Sequence, residues 1–270
     1  MKGLTATVVL LLAMTLPAAA QSKVFEQTVH LSPGGTLKLD ASRGSVRLTG
    51  WDRDQVEVHA RIEVDRSSDS SSARQAVDRT TVEVVSSGNS VSIRSNYDNA
   101  LNWLFDFQGR PSIHYEIRAP KRVDLRLNID RSNSIIKDFE GRIELEADRS
   151  VIDAADLSGP MRMSIDRGGD SSFRNFRGSF DVEADRTNIR IDLAKLDGSS
   201  RISIDRGDID MSVSRSQGLD LDTSLSKRTS FDTTLPLQSR RFRNNNPSGS
   251  MNGGGPRLAI EADRSRVRLR

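Results

Sequence analysis

Aspartate and arginine stand side by side six times in the second half of this chain, and no other residue pattern offers as much charge at so regular a spacing. The pairs are Asp130-Arg131, Asp148-Arg149, Asp166-Arg167, Asp185-Arg186, Asp205-Arg206 and, after a gap, Asp263-Arg264. A small residue follows each: Ser132, Ser150, Gly168, Thr187, Gly207 and Ser265. The first four steps are 18, 18, 19 and 20 residues. Stacked aspartates in a parallel β-repeat can bind calcium. That ion needs about six to eight oxygen ligands, and a guanidinium beside every carboxylate opposes a divalent cation. The pattern reads instead as a structural corner. Asp is expected to accept corner N–H groups, while Arg neutralises neighbouring carboxylates and covers apolar surface with its stem. The same stripe could contact acidic glycans or lipid headgroups.

Other chemistry is sparse. His30, His59 and His114 lie on strand-like segments, without a nucleophile elbow or metal-ligand spacing. There is no cysteine, which removes disulfides and thiolate catalysis. A carboxylate pair could serve a carbohydrate-active enzyme built on a β-helix, but 37 acidic residues mark no particular pair. Trp103, Phe105 and Phe107 alternate in a chain with only 5% aromatics, so they read as a partner patch or as a cap over an open sheet end. No catalytic, cofactor-binding or metal-ligating residue is assigned, and no cofactor is expected.

The elements that must position these residues follow from period-two patterning. Before each Asp the inward pairs are Leu127/Ile129, Leu145/Ala147, Met163/Ile165, Val182/Ala184 and Ile202/Ile204. After it they are clearest as Ile152/Ala154, Ile189/Ile191 and Ile209/Met211. Gly141, Gly159, Gly178, Gly198 and Gly218 close the units and are expected at positive φ. The residue before Asp alternates Ile129, Ala147, Ile165, Ala184, Ile204, as interdigitating layers require. Serines 171 and 172 and Asn175 interrupt one unit. The expected fold is all-β, a single-chain parallel β-solenoid or β-helix of about 18–20 residues per coil, with one short helix near residues 72–79.

Residues 1–20 read as a signal peptide: Lys2, an apolar run from Val8 to Leu16, and Ala18-Ala19-Ala20 before Gln21. The chain then divides into an N-terminal β region, 21–121, holding the helix and the aromatic insertion, and the repeat region, 122–270. Within the latter, 239–257 is basic at Arg240, Arg241 and Arg243, then rich in Asn, Gly and Ser, and is expected to be a mobile surface loop. The net charge of +3 is spread over 40 basic and 37 acidic residues, a mixed solvated surface rather than a nucleic-acid footprint. The last residues, Val267-Arg268-Leu269-Arg270, lack a terminal aromatic, so an autotransporter segment is not expected.

Both flanks echo the repeat. Leu37 to Leu48 matches Leu258 to Leu269 almost position for position, so 41–48 is a divergent coil and the final coil resumes after an insertion. These coils, with Pro33-Gly34-Gly35, Gly50-Trp51, Ala119-Pro120 and Asn252-Gly253-Gly254-Gly255-Pro256, resemble the bacterial "putative adhesin" β-strand-repeat family, a domain of unknown function related to auto-transporter adhesin head domains. The family has Gly at the corner position held here by Gly44, Gly168 and Gly207; Ser132, Ser150, Thr187 and Ser265 depart from it. The resemblance implies an exported parallel β-solenoid without established catalytic residues, in the periplasm or at the cell surface. An envelope protein or glycan is the expected partner of such a scaffold or adhesin-like protein. An envelope-stress signalling accessory is a further reading.

Overall fold

The structure is a computed structural model that describes residues 22–64, 71–97, 111–243 and 246–270. The leader at 1–20 and Trp103, Phe105 and Phe107 lie outside the described residues. In chain order the first part forms β1 (Ser22–His30), β2 (Thr36–Trp51), β3 (Gln55–Glu63), α1 (Ser71–Arg79), β4 (Thr81–Ser87), β5 (Ser90–Asn96) and β6 (Ser112–Pro120). The repeats follow as β7 (Asp124–Glu140), β8 (Ile143–Asp148), β9 (Val151–Ser158), β10 (Met161–Asp166), β11 (Asp170–Gly178), β12 (Phe180–Asp185), β13 (Asn188–Leu196), β14 (Ser200–Asp205) and β15 (Asp208–Val213). The remaining strands are β16 (Leu219–Leu225), β17 (Ser230–Thr233), β18 (Gln238–Arg243), β19 (Asn246–Met251), β20 (Arg257–Asp263) and β21 (Arg266–Leu269).

The molecule is all-β: one sheet of 21 strands, mostly parallel and not closed, with a single short helix among the described residues. Two ladders account for the parallel pairing. One runs β5–β2–β7–β8–β10–β12–β14–β20–β16. The other runs β6–β2–β7–β9–β11–β13–β15–β21–β17. β2 and β7 are long enough to pass through both, bending at Arg43 (φ 62°) and Arg131 (φ 47°).

Alternation drives each strand, as β8 illustrates: Ile143, Leu145 and Ala147 are buried while Glu144 and Glu146 point outward. Stacked levels merge these inward residues into one continuous core. The Ile/Ala column extends beyond the segment where the sequence displays it. In register it runs Ala41, Ile129, Ala147, Ile165, Ala184, Ile204, Ala262, Leu225. Large and small side chains alternate over the whole column, so each Ile fills the space its two Ala neighbours leave. Every member except Leu225 is buried, and each large one contributes about 1.5–3 kcal/mol.

Stacking order and chain order differ at both ends. β2 lies between β7 and the later-occurring β5 and β6, and β20/β21 lie between β14/β15 and the earlier-occurring β16/β17. Antiparallel strands then flank the ladders: β4 on β5, β3 and β1 beyond β6, and β19 with β18 beyond β16. The stretch at 239–257, expected as a loop, therefore holds the β18–β19 hairpin and the start of β20. It is recruited because β16 would otherwise expose an unpaired edge. The helix near 72–79 forms as α1, with Ala76 and Val77 buried.

The glycines divide. Gly141, Gly159 and Gly178 take positive φ as expected and stack so closely that a Cβ on Gly159 would sit 2.2 Å from the Gly141 carbonyl oxygen. Gly198 and Gly218 do not adopt positive φ, contrary to expectation. The left-handed turns are made instead at Arg43, Arg131, Arg149, Arg167, Arg186, Arg206 and Arg264, and at a second corner by Asp138, Asp156 and Asn175. The apparent break at Asn175 is thus this second corner, where the Asn175 amide donates to Asp156 Oδ1 at 2.6 Å.

Candidate functional site

The register brings all six repeated aspartates onto adjacent strands in the order 130, 148, 166, 185, 205, 263. The long gap before Asp263 vanishes in space, because Asp205 pairs directly with Asp263. A bare row of carboxylates on successive strands is repulsive. Four of the arginines offset this by bridging two levels, while Arg131 and Arg186 pair with their own Asp130 and Asp185. Arg167 binds its own Asp166 (2.9 Å) and Asp148 of the preceding level (3.0 Å). Arg206 binds Asp205 (3.0 Å) and Asp185 (2.9 Å), and Arg264 binds Asp263 (3.1 Å) and Asp205 (2.8 Å). Arg149 binds Asp148 at 2.8 Å and reaches Asp130 only at 3.9 Å.

Several of these approaches reach ion-pair distance off the hydrogen-bonding direction. Oδ1 of Asp130, Asp148, Asp166, Asp185 and Asp205 is buried without a hydrogen bond in this structure, although Arg167 and Arg206 lie about 3 Å from two of them. The net electrostatics still favour the charged forms. Burial pushes the Asp148 carboxyl up, but Arg149 and Arg167 together hold it below the usual carboxylate range. Asp263 is held low first by the Ser226 hydroxyl and then by Arg264, against a smaller opposing effect of burial.

The small residue after Arg has a role the sequence reading missed. Ser132 N–H donates to the Ser150 hydroxyl (3.1 Å), Gly168 N–H to Thr187 (3.0 Å) and Gly207 N–H to Ser265 (3.3 Å). Each of those hydroxyls donates to the carbonyl of the Asp two residues earlier. The Arg N–H groups meet main-chain carbonyls of the next level, as in Arg149 to Asp166 and Arg167 to Asp185, both 2.9 Å. Corner N–H groups are thus satisfied chiefly by hydroxyls and main-chain carbonyls, not by the aspartate side chains expected from sequence. The alternation of Ser or Thr with Gly was the available signal: a Cβ on Gly207 would lie 2.0 Å from the Thr187 carbonyl oxygen.

Beside the Asp column the outward face of the first ladder is concave. A depression of about 640 Å³ is lined by Ser164, Asp166, Glu183, Asp185, Ser203, Asp205, Ser224, Ser226, Glu261 and Asp263, with Ile165, Ala184, Ile204, Leu225 and Ala262 between them. No basic residue lines it.

Two histidines have acidic partners in the N-terminal strands. His114 Nδ1 is 2.8 Å from the Ser45 hydroxyl and its Nε2 is 3.2 Å from Glu63; His59 is 3.5 Å from Glu26. Ser–His–Glu is a nucleophile's constellation, but Ser45 lies within β2, paired on one side with His114 of β6 and on the other with Asn133 of β7. Backbone N–H groups engaged in two ladders are not turned toward a developing oxyanion. The trio ties β2, β6 and β3 together. His30 hydrogen-bonds Ser32 at 3.0 Å. Among the described residues no group of His, Asp and Glu has metal-ligand geometry, and no helix is long and apolar enough to cross a membrane.

No family profile and no curated sequence matches the chain. Among solved structures, the chain is similar to a "putative cell adhesion protein" of Clostridium sporogenes, with 10% identity and a TM-score of 0.35, covering 92% of this chain and 99% of that one. A "putative adhesin" of Bacteroides fragilis is similar at 9% identity and a TM-score of 0.38, over 92% and 97% of the two chains. A "putative lipid binding protein" of Parabacteroides distasonis gives 9% and 0.35, over 92% and 96%.

Proposed function

We propose that the chain is an exported β-solenoid acting as a non-catalytic scaffold or adhesin-like interaction protein of the cell envelope. The observation that carries this reading is the way the Asp–Arg column is consumed by the fold. Each bridging guanidinium links neighbouring levels, and the corner hydroxyls link backbone to backbone, so the most regular charged motif in the chain serves stacking. A stack built in this way presents long, rigid faces whose outward residues are free to vary. Such faces suit contact with an extended envelope glycan or protein better than enclosure of a small substrate.

The leader-like residues 1–20 support export. The test is capture of envelope components by the purified protein, paired with reducing-sugar release assays. Retention of an envelope glycan or protein without release of sugar ends supports the reading. Release of reducing ends would replace it with a carbohydrate-active enzyme.

A further inference from the structure

The outward face of the first ladder carries a second regularity beside the Asp column. Two residues before each Asp, the exposed position in register reads Asp40, Asn128, Glu146, Ser164, Glu183, Ser203, Glu261, Ser224. From Glu146 onward Glu stands on every second strand and Ser on the strands between. Strands are about 4.8 Å apart, so the glutamates recur at about 9.6 Å. From Arg126 to Arg201 the row two residues earlier alternates in sign, with Arg126–Glu144 (3.1 Å) and Arg162–Asp181 (3.5 Å) paired within it. Glu261 is held by Arg201 at 2.6 Å, whereas Glu146 and Glu183 form no ion pair among the described residues. The result is a sheet face on which Glu146 and Glu183 are free of ion pairs, with hydroxyls between the glutamates and a depression over its later strands.

We propose that this groove binds a linear, cationic amino-sugar polymer lying across the strands. This rests on the reading of the chain as an envelope interaction protein and names its ligand class. Charge complementarity asks for a cation, and the row of hydroxyls asks for a partner rich in hydrogen-bonding groups. The period selects among cations. A β-1,4-linked glycan turns alternate residues over, so like groups on one edge recur every second sugar, an interval close to two strand spacings. An extended basic peptide repeats its same-side groups at about 6.8 Å, two residues of strand rise, and falls out of step with the glutamates.

The experiment is titration calorimetry of the purified protein at about 0.15 M salt with glucosamine hexamer, N-acetylglucosamine hexamer and hexalysine. The expected result is glucosamine hexamer binding at least tenfold tighter than either of the others. Glu146→Gln combined with Glu183→Gln should weaken it at least tenfold with an unchanged melting temperature, and Glu57→Gln, outside the groove, should not. Equal binding of hexalysine means a nonspecific acidic surface and overturns the proposal. Equal binding of the acetylated hexamer, or no binding of glucosamine hexamer, overturns it as well. If envelope components are still captured in that last case, only the groove assignment fails; if capture is lost too, the interaction reading fails with it.

Discussion

Arg167 joins two levels of the sheet at once, with Nε 2.9 Å from Asp166 of its own level and Nη2 3.0 Å from Asp148 of the level before. It does so from a left-handed backbone conformation, φ 51°, that a residue with a Cβ adopts at a cost of about 1–2 kcal/mol. Strain and bridging therefore oppose each other at one residue. Arg167→Ala keeps the strain and loses the bridge, while Arg167→Gly loses both. The pairs are half-exposed and contribute about 0–1 kcal/mol each. Arg167→Gly is accordingly expected to unfold at a higher urea midpoint than Arg167→Ala, and added salt should narrow the gap between Arg167→Ala and the parent. A lower midpoint for the glycine variant would show that the left-handed corner is not strained.

Two glycines that look alike in sequence should respond differently to alanine. Gly159→Ala places a Cβ 2.2 Å from the Gly141 carbonyl oxygen at φ 125°, a backbone clash with no side chain to give way. Loss of more than about 3 kcal/mol, or failure to fold, is expected, at the large end of single-residue effects. Gly198→Ala meets only the Ser179 Cβ at 3.3 Å, without positive φ. It should change stability by less than about 1 kcal/mol, since a glycine whose φ suits alanine loses little on substitution. Denaturant melts of the two variants decide this.

The alternating column makes a coupled prediction. Ala147 sits in register between Ile129 and Ile165. Ala147→Ile should overpack the level and cost about 1–3 kcal/mol, and Ile165→Ala should leave a cavity costing about 2–5 kcal/mol. The double variant conserves volume, so its loss should be smaller than the sum by at least about 0.5 kcal/mol, the threshold for coupling between touching residues. Strict additivity in the double-mutant cycle would mean that the two levels do not interdigitate.

Acid should loosen the Asp column. Asp148, Asp153 and Asp263 all have carboxyls held below their ordinary value in the folded protein. For Asp153, burial pushes upward and is outweighed by Arg174 and Ser172. A depressed folded pKa means stability that is fully present above the unfolded value and is lost as pH falls through the folded one. The melting temperature should therefore hold steady at neutral pH and drop below the usual carboxylate range, and Asp148→Asn should flatten that acid limb. An unchanged limb would show that the bridges contribute no pH dependence.

The repeat was legible because each level spends the same residues on the same corner: Asp for the bridge, Arg for the turn, a small residue for the hydroxyl ladder. The inward pairs such as Leu145/Ala147 were equally plain, since period two is a local property of the chain. Register between distant segments is not local. Nothing near Leu219–Leu225 announces that Ala262 stacks against Leu225, because β16 is followed by Ser226-Lys227-Arg228-Thr229 rather than an Asp–Arg corner. The glutamate row escaped for a related reason: Glu146, Glu183 and Glu261 stand at unequal separations in sequence and become periodic only when the strands are laid side by side.

The position of Arg257–Leu269 between segments that precede it carries a consequence for assembly. β14 and β16 are made first, yet they do not pair with each other; each pairs with the same later strand. The protein cannot be wound up level by level in the order of its synthesis. The place between β14/β15 and β16/β17 can be filled only once β20 and β21 have been made. Once seated, the late segment acts as a keystone: it is hydrogen-bonded on both sides, and removing it breaks both sets of bonds at once.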